Sequence, residues 1–232
     1  MPRTAGGRSL EPEWLDSLDP ADPRSRRARR ELRLVNRLMR NASIVSRALA
    51  PVAGPAARIA DLGAGDGRFM LQVAQRLAPR AALDLTLVDR QSALEPATLA
   101  AFRALGWHAQ PVVADVLNWL EQAPPFDAIV ANLFLHHLEP AALERLLALA
   151  ASRARVFVAC EPRRGGLALF ASRLLGLAGC GSVSRHDAVA SVRAGFAGRE
   201  LSLAWRNARG WQLSEGARGL FSHVFVAQRE FV

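Results

Sequence analysis

Short apolar segments alternate with segments of helical periodicity from residue 58 onward. The apolar segments predict strands at 58–62, 83–88, 109–114, 127–132 and 155–160. Helical periodicity predicts helices at 67–78, 92–105 and 140–152. The strand segments are continuously apolar, which is typical of parallel strands covered on both faces. The pattern therefore predicts an α/β fold, a doubly wound and mostly parallel sheet with helices on both faces.

The C-terminal region departs from this alternation. Two strand-like segments, 201–205 and 222–228, are joined by a polar, glycine-containing link without an apolar crossover helix. Strands joined in this way pair antiparallel. We therefore expect seven strands, with one antiparallel strand near the C-terminus.

The N-terminal region predicts a separate helix. Residues 1–20 are rich in proline, glycine and charge and predict a loose lead-in. Asp22 and Pro23 are favourable residues for a helix start, and helical spacing continues to about residue 50. We divide the chain into an extension at 1–50, a possible lid, and a main domain at 51–232. Within that domain, we interpret the partly apolar segment 161–199 either as a cover over the substrate site or as helices of the core.

Composition narrows the class of protein. The chain has 232 residues, half of them hydrophobic, which suits one domain. Its two cysteines, expected to be buried, are too few for a disulfide framework and show no metal-ligand spacing. We therefore predict a cytoplasmic protein with no metal site. No apolar stretch of about 18 residues is present, so we expect no membrane span.

The net charge of +9 comes from arginine alone, because the sequence has no lysine. Together with frequent alanine, this bias is typical of a GC-rich coding sequence. The densest basic segment, 24–33, can contact RNA phosphates or form the solvated face of a helix. It has no interleaved aromatic residues for stacking on bases.

The sequence "DLGAGDG", 61–67, joins the first predicted strand to the first helix, where open α/β sheets bind ligands. Its glycines allow a tight turn and close approach to a ligand. The dinucleotide pattern G-x-G-x-x-G fails, because Arg68 occupies the last glycine position. Asp61 would also repel a pyrophosphate. A cationic or zwitterionic ligand fits better, and an NAD(P)-dependent oxidoreductase remains an alternative.

This loop resembles the first motif, D/E-x-G-x-G-x-G, of class I S-adenosylmethionine-dependent methyltransferases. The resemblance extends to Asp89 at the end of the second strand, Asp115 at the end of the third, and "FDAIVANLFLHHLEP" at the fourth. It implies S-adenosyl-L-methionine as cofactor, with Asp89 at the ribose hydroxyls and Asp115 at the adenine amino group. The cofactor-binding residues so predicted are Asp61, Gly63, Ala64, Gly65, Gly67, Asp89, Arg90, Asp115, Val116 and Asn132.

Two histidines follow the fourth strand on the ligand-binding edge. His136 or His137 can act as general base near neutral pH, or they can line the pocket. The N-P-P-Y signature, which the family uses for amino groups of nucleobases, is absent from 132–135. We therefore expect O- or C-methylation of a small hydrophobic or phenolic acceptor. Methylation of RNA through the arginine-rich N-terminal helix is the alternative.

Overall fold

A seven-stranded sheet forms the centre of the computed structural model, which describes residues 7–19, 21–77, 82–91, 93–176, 179–206 and 208–230. The strands are β1 Arg58–Leu62, β2 Leu83–Asp89, β3 Trp107–Val113, β4 Phe126–Asn132, β5 Ala154–Pro162, β6 Trp211–Arg218 and β7 Ser222–Arg229. Their order across the sheet is β3-β2-β1-β4-β5-β7-β6. Only β7 runs against its neighbours in this described sheet, which confirms the predicted fold class.

Helices cover both faces of the sheet. They are α1 Trp14–Ser17, α2 Pro23–Met39, α3 Asn41–Leu49, α4 Arg68–Leu77, α5 Pro96–Ala104, α6 Val116–Gln122, α7 Pro140–Arg153, α8 Gly166–Arg173, α9 Ser182–Ala194 and α10 Glu200–Ala204. Ala78 and Ser92, predicted as helix ends, lie outside the described residues. In the described part of the chain, no helix is both long and apolar enough to cross a membrane.

The central strands supply two hydrophobic layers, because neighbouring strand residues point to opposite faces. Leu62 and Ile129 pack with Leu146 of α7 on one face. Val130 packs with Met70 of α4 on the other. Burial on both faces accounts for the uninterrupted apolar segments in the sequence. The rigid sheet edge at the carboxyl ends of β1, β2, β4 and β5 carries the candidate site.

The N-terminal region differs from the prediction in two ways. The single helix expected to reach residue 50 is divided at Arg40, whose φ of 59° is left-handed. Residues 7–19 are docked instead of forming a loose lead-in. The Arg8 guanidinium donates to the carbonyl of His136 (3.0 Å), and the Trp14 N–H donates to Asp187 (2.8 Å).

The prediction of a strand at 201–205 is wrong. Leu201 and Trp205 are buried four residues apart while Leu203 is 81% exposed, which is the pattern of one helical turn. The Glu215 carboxylate accepts from the N–H groups of Leu201 (3.0 Å) and Ser202 (2.7 Å) and stabilises the start of α10. The sixth strand is β6, in the segment interpreted as a link.

Candidate functional site

The glycine loop between β1 and α4 turns back onto β2. The N–H groups of Gly63 and Ala64 donate to the carbonyl of Val88 (2.9 and 3.0 Å). The three glycines all have positive φ, at 74° for Gly63, 56° for Gly65 and 69° for Gly67. This conformation is costly for other residues. The sequence therefore needs glycine here for the backbone itself, before any ligand is considered.

Space around two of these glycines differs. A Cβ on Gly63 would lie 2.4 Å from the ring of Phe134, so a side chain of the fold excludes it. A Cβ on Gly65 would meet only the Arg29 guanidinium, at 4.0 Å. Gly65 borders both cavities described below. Close approach to a ligand is consequently possible at Gly65, whereas Gly63 accommodates Phe134.

Asp89 ends β2 and holds the loop. One carboxylate oxygen accepts from the N–H of Gly65 (2.9 Å), and the other accepts from the N–H of Gln91 (2.8 Å). Asp89 and Arg90 both line the larger cavity. The carboxylate is thus oriented by backbone donors at the position that the resemblance assigns to the ribose. That ribose contact stays a prediction.

Asp61 is 2% exposed at the end of β1 and borders the smaller cavity. Burial, and to a lesser extent the nearby Asp89 carboxylate, raise the pKa of Asp61 well above its ordinary value. A cation beside this group would favour its ionised form. The environment therefore suits the ammonium end of an amino acid.

Asp115 is exposed and caps α6. Its Oδ1 atom accepts from the N–H groups of Leu117 (3.0 Å) and Asn118 (3.1 Å). Val116 and Leu117 line the cavity with it. The capping role is structural, and the predicted contact with an adenine amino group stays a prediction.

Asn132 ends β4 and connects the site to the N-terminal helices. Its Oδ1 atom accepts from Asn41 Nδ2 of α3 (2.9 Å). Asn41 accepts in turn from Ser222 Oγ of β7 (2.8 Å). Asn132 also borders the smaller cavity. This side chain therefore positions α3 beside the predicted cofactor site.

Two adjoining cavities meet at the glycine loop. The larger has a volume of about 780 Å³ and extends from Asp89 and Asp115 to His136, His137 and helix α9. The smaller, about 110 Å³, lies between Asp61, Asn132 and helix α2. The larger cavity has many apolar side chains in its lining: Leu32, Val35, Met39, Leu138, Ala168, Ala171, Leu175 and Val192.

Helix α2 closes over the glycine loop. The Arg29 guanidinium donates to the side chain of Gln91 (3.0 Å), and Arg33 pairs with Asp66 (2.7 Å). Helices α8 and α9 form a neighbouring wall, and α9 packs against α2. Cys180, which we expected to be buried, is half-buried and lines this wall, whereas Cys160 is buried as predicted.

His136 and His137 lie on the cavity wall in a short 3-10 turn after β4. His136 is 3% exposed, with Nδ1 2.7 Å from Glu161 and Nε2 3.3 Å from Glu13. Burial alone would lower its pKa, but the hydrogen bonds to Glu13 and Glu161 raise the pKa of His136 to about 9. Because both ring nitrogens of His136 face carboxylates and its pKa is raised, His136 is less suited than His137 to take a proton from an acceptor.

His137 is the better candidate for a base. Its side chain is 25% exposed, with Nε2 4.0 Å from the Glu13 carboxylate. It faces the same cavity as the glycine loop. Its predicted role as general base stays a prediction.

Sequence reasoning missed Glu13 and Glu161. Glu161 is fully buried and accepts from the N–H groups of Phe134 (3.0 Å) and Leu135 (2.9 Å). Glu161 follows the apolar segment of β5, as Asp89 follows the apolar segment of β2. This position at a strand end could have identified Glu161 as a candidate site residue from the sequence. Glu13 lies 123 residues from His136 in the segment interpreted as a loose lead-in, which carried no signal.

Comparison with known proteins gives a partial sequence match. Residues 59–155 match the family model described as a methyltransferase domain. A stretch of 90 residues is 38% identical to the tRNA1(Val) (adenine(37)-N6)-methyltransferase of Enterobacter sp. (strain 638). That stretch is 38% of this chain and covers only 36% of the length of the curated relative.

Similarity to solved structures extends over most of the chain. The plantazolicin methyltransferase BpumL in complex with SAH has a TM-score of 0.62 at 14% identity, over 90% of this chain and 92% of that one. The magnesium protoporphyrin IX methyltransferase ChlM from Synechocystis PCC 6803 with bound SAH has a TM-score of 0.54 at 17% identity, over 83% of each chain. At such identities the similarity concerns the fold.

Proposed function

We propose that this chain is a class I S-adenosylmethionine-dependent methyltransferase that methylates an oxygen or carbon of a small, hydrophobic or phenolic acceptor. The methyltransferase-domain match at residues 59–155 and the fold similarity to methyltransferases support this proposal. The domain and its cofactor class agree with the sequence prediction. The relative and the solved structures named above are methyltransferases, which favours this proposal over an NAD(P)-dependent oxidoreductase. The acceptor and the position methylated belong to the proposal.

One observation carries the proposal: the larger cavity changes character along its length. Carboxylates and open backbone, at Asp89, Asp115 and Gly65, lie at one end. Apolar side chains from α2, α8 and α9 line much of the rest, where Glu13, His136 and His137 also lie. A cavity of about 780 Å³ has room for two ligands of moderate size. This arrangement favours a polar cofactor end and an apolar acceptor end.

The residues present fit S-adenosylmethionine. The buried Asp61 carboxylate and the smaller cavity suit its amino acid part, and Asp89 suits the ribose hydroxyls. Val116 and Leu117 offer apolar contacts to the adenine. When bound, the cofactor supplies a methyl group activated by its sulfonium charge.

The protein must also align the acceptor atom with the methyl group and exclude water from the site. Helices α2, α8 and α9 line the cavity and limit the access of water to it. His137 accepts the proton of a hydroxyl acceptor at its Nε2 atom. Residues 1–50 act as the lid, because Arg29 and Arg33 of α2 reach across to Gln91 and Asp66 beside the glycine loop.

The first test measures the binding of S-adenosylhomocysteine, by calorimetry and by the rise in melting temperature of the protein. NADPH is the comparison ligand. We expect binding of S-adenosylhomocysteine only. A panel of phenols, hydroxyquinones and aliphatic amines is then incubated with radiolabelled S-adenosylmethionine. Absence of S-adenosylhomocysteine binding at saturating concentration would overturn the proposal, and labelling confined to amines would overturn its acceptor class.

A second candidate function, RNA methylation, is favoured by the sequence match to a tRNA methyltransferase. Among the arginines of α2 whose burial is described, four are exposed: Arg24, Arg26, Arg27 and Arg30. Arg24 and Arg27 already pair with Asp22 and Glu31, which reduces their availability. Replacing all four by glutamine should abolish a salt-dependent affinity for tRNA if RNA is the acceptor. Binding that is equally weak before and after the change would exclude this candidate.

A further inference from the structure

The acceptor end of the cavity brings together two imidazoles and one carboxylate. His136 Nε2 lies 3.3 Å from one Glu13 carboxylate oxygen, and His137 Nε2 lies 4.0 Å from the other. The ligand atoms of these three residues all lie within 4.8 Å of one another. We propose that Glu13, His136 and His137 bind a divalent transition-metal ion, in contrast to the sequence prediction of no metal site.

The donor set selects the class of metal. Two imidazole nitrogens and one carboxylate suit Zn²⁺, Co²⁺ or Fe²⁺, whereas Mg²⁺ and Ca²⁺ prefer oxygen ligands. Metal–ligand bonds of about 2.1 Å place tetrahedral ligands about 3.4 Å apart. The observed 3.3 Å and 4.0 Å separations are close to that value, so small side-chain rotations complete the site.

A second layer of contacts orients the ligands as in known metal sites. Metal-binding histidines usually donate their other ring N–H to a carboxylate. Glu161, fully buried, lies 2.7 Å from His136 Nδ1, so a proton held there leaves Nε2 available toward Glu13. Ser191 Oγ donates to the Glu13 carboxylate. The backbone of the turn is held by the Arg8 guanidinium, which donates to the carbonyl of His136 (3.0 Å).

Charge also favours a dication. Glu13 and Glu161 bring two carboxylates to the two sides of His136, with exposed fractions of 12% and 0% for their side chains. A divalent ion that displaces the proton from His136 Nε2 and binds both imidazoles would balance the two negative charges. The ring centroids of His136 and His137 are only 4.1 Å apart, so one ion can contact both rings.

The open coordination positions give the metal a role that rests on the proposed function. Glu13, His136 and His137 all line the larger cavity. Three protein ligands leave at least one position for water or substrate. An oxygen of the acceptor, as a phenolate, hydroxyl or carboxylate, would bind there. With His137 Nε2 bound to the metal, the ion would take the place of His137 as general base, because it would lower the pKa of a bound hydroxyl and so favour release of its proton to water. A metal ion there would therefore orient the acceptor at the end of the cavity that holds the two histidines.

The test measures metal binding without cofactor or acceptor. The full chain is stripped with a chelator and titrated with Zn²⁺ against a chromophoric competitor. Co²⁺ substitution then reports the coordination through its visible absorption. We expect one ion per chain with micromolar or tighter affinity and a spectrum of four- or five-coordinate Co²⁺.

Variants assign the ligands. His137→Ala and Glu13→Gln should each weaken Zn²⁺ binding more than about 100-fold, beyond the effect usual for an outer-layer residue. Glu161→Gln should weaken it about 10- to 100-fold. His108→Ala, an exposed histidine on β3, is the matched control and should leave affinity unchanged. His136→Ala is interpreted only if circular dichroism shows a native fold.

Two results would overturn the metal site. One is an affinity for Zn²⁺ weaker than millimolar, and the other is an equal Zn²⁺ affinity in His137→Ala and in the unaltered protein. Binding of S-adenosylhomocysteine to the unaltered, metal-free protein is measured in parallel. If S-adenosylhomocysteine binds and Zn²⁺ does not, the metal inference fails and the methyltransferase proposal stands. The reverse outcome removes the proposed function and retains the metal site.

Discussion

His136 and Glu161 form a buried pair that joins the turn after β4 to the end of β5. The Nδ1 atom of His136 lies 2.7 Å from the Glu161 carboxylate, and the two side chains are 3% and 0% exposed. Glu161 also accepts backbone hydrogen bonds from Phe134 and Leu135. This carboxylate therefore fixes the path of the chain at the candidate acceptor end.

Replacing Glu161 with glutamine should be strongly destabilising. The change removes one partner of a buried pair, for which losses of about 3–5 kcal/mol are typical. Urea denaturation measures the free energy of unfolding. Glu121→Gln, which removes the partner of Arg145 at the surface, should cost less than about 1 kcal/mol. Equal losses in the two variants would contradict a stabilising role for the buried pair.

Replacing Asp61 with asparagine should stabilise the protein at neutral pH. Because the pKa of Asp61 is raised, the folded protein retains a proton that the unfolded chain releases above about pH 4. Wild-type stability therefore falls as the pH rises above that value, and the variant avoids this loss. Urea denaturation should show a gain at pH 7 that disappears near pH 4. A pH-independent difference would mean that the ionisation of Asp61 is not its cause.

Asp61→Asn should also weaken the binding of S-adenosylhomocysteine, since a neutral amide cannot pair with its ammonium group. Calorimetry from pH 5 to 8 should show that wild-type affinity rises with pH as Asp61 loses its proton. This pH dependence should be smaller in the variant. Identical pH profiles would assign the ammonium group to another partner.

Replacing Asp89 with alanine should weaken S-adenosylhomocysteine binding by about 1.5–3 kcal/mol, or roughly 10- to 150-fold. This is the usual range for a hydrogen bond to a charged group. Asp84→Ala is the matched control, because it changes an exposed aspartate on the same strand, β2. Calorimetry measures both affinities. Undiminished binding by Asp89→Ala would show that the ribose site is misassigned.

Two glycine substitutions separate backbone strain from steric exclusion. Gly106 has a φ of 79°, and a Cβ built there has no atom within 4 Å. Gly106→Ala should therefore cost about 1–2 kcal/mol of folding free energy, from backbone strain alone. Gly63→Ala has a similar φ of 74° but places its Cβ 2.4 Å from Phe134, and should cost clearly more. Phe134→Ala in the Gly63→Ala background should recover part of the difference. Equal costs at Gly63 and Gly106 would show that Phe134 moves away without penalty.

The arginines of α2 should control ligand escape if this helix is a lid. Arg29→Ala combined with Arg33→Ala removes both contacts across the site and should accelerate dissociation of S-adenosylhomocysteine several-fold. Arg24→Ala, on the same helix and paired only with nearby Asp22 in the contacts described, is the control. Stopped-flow displacement measures the rates. An unchanged rate in the double variant would argue against a lid at this helix.

The sequence by itself determined six of the seven strands of the described sheet, the glycine loop and the carboxylates at the strand ends. Apolar periodicity and glycine spacing are local properties, so they predicted β1 to β5, β7 and the placement of Asp61 and Asp89. Local pattern failed at 201–205, because the start of α10 depends on Glu215 from another element. Apolar content alone could not distinguish that helix from a strand.

The tertiary structure alone decided the environment of the two histidines. Glu13 reaches His136 across 123 residues of sequence, and Glu161 reaches it from the neighbouring strand β5. A pKa and a set of metal ligands depend on distance and burial, and both arise only when remote segments pack together. The sequence placed His136 and His137 at the ligand-binding edge, and folding supplied the carboxylates that determine their chemistry.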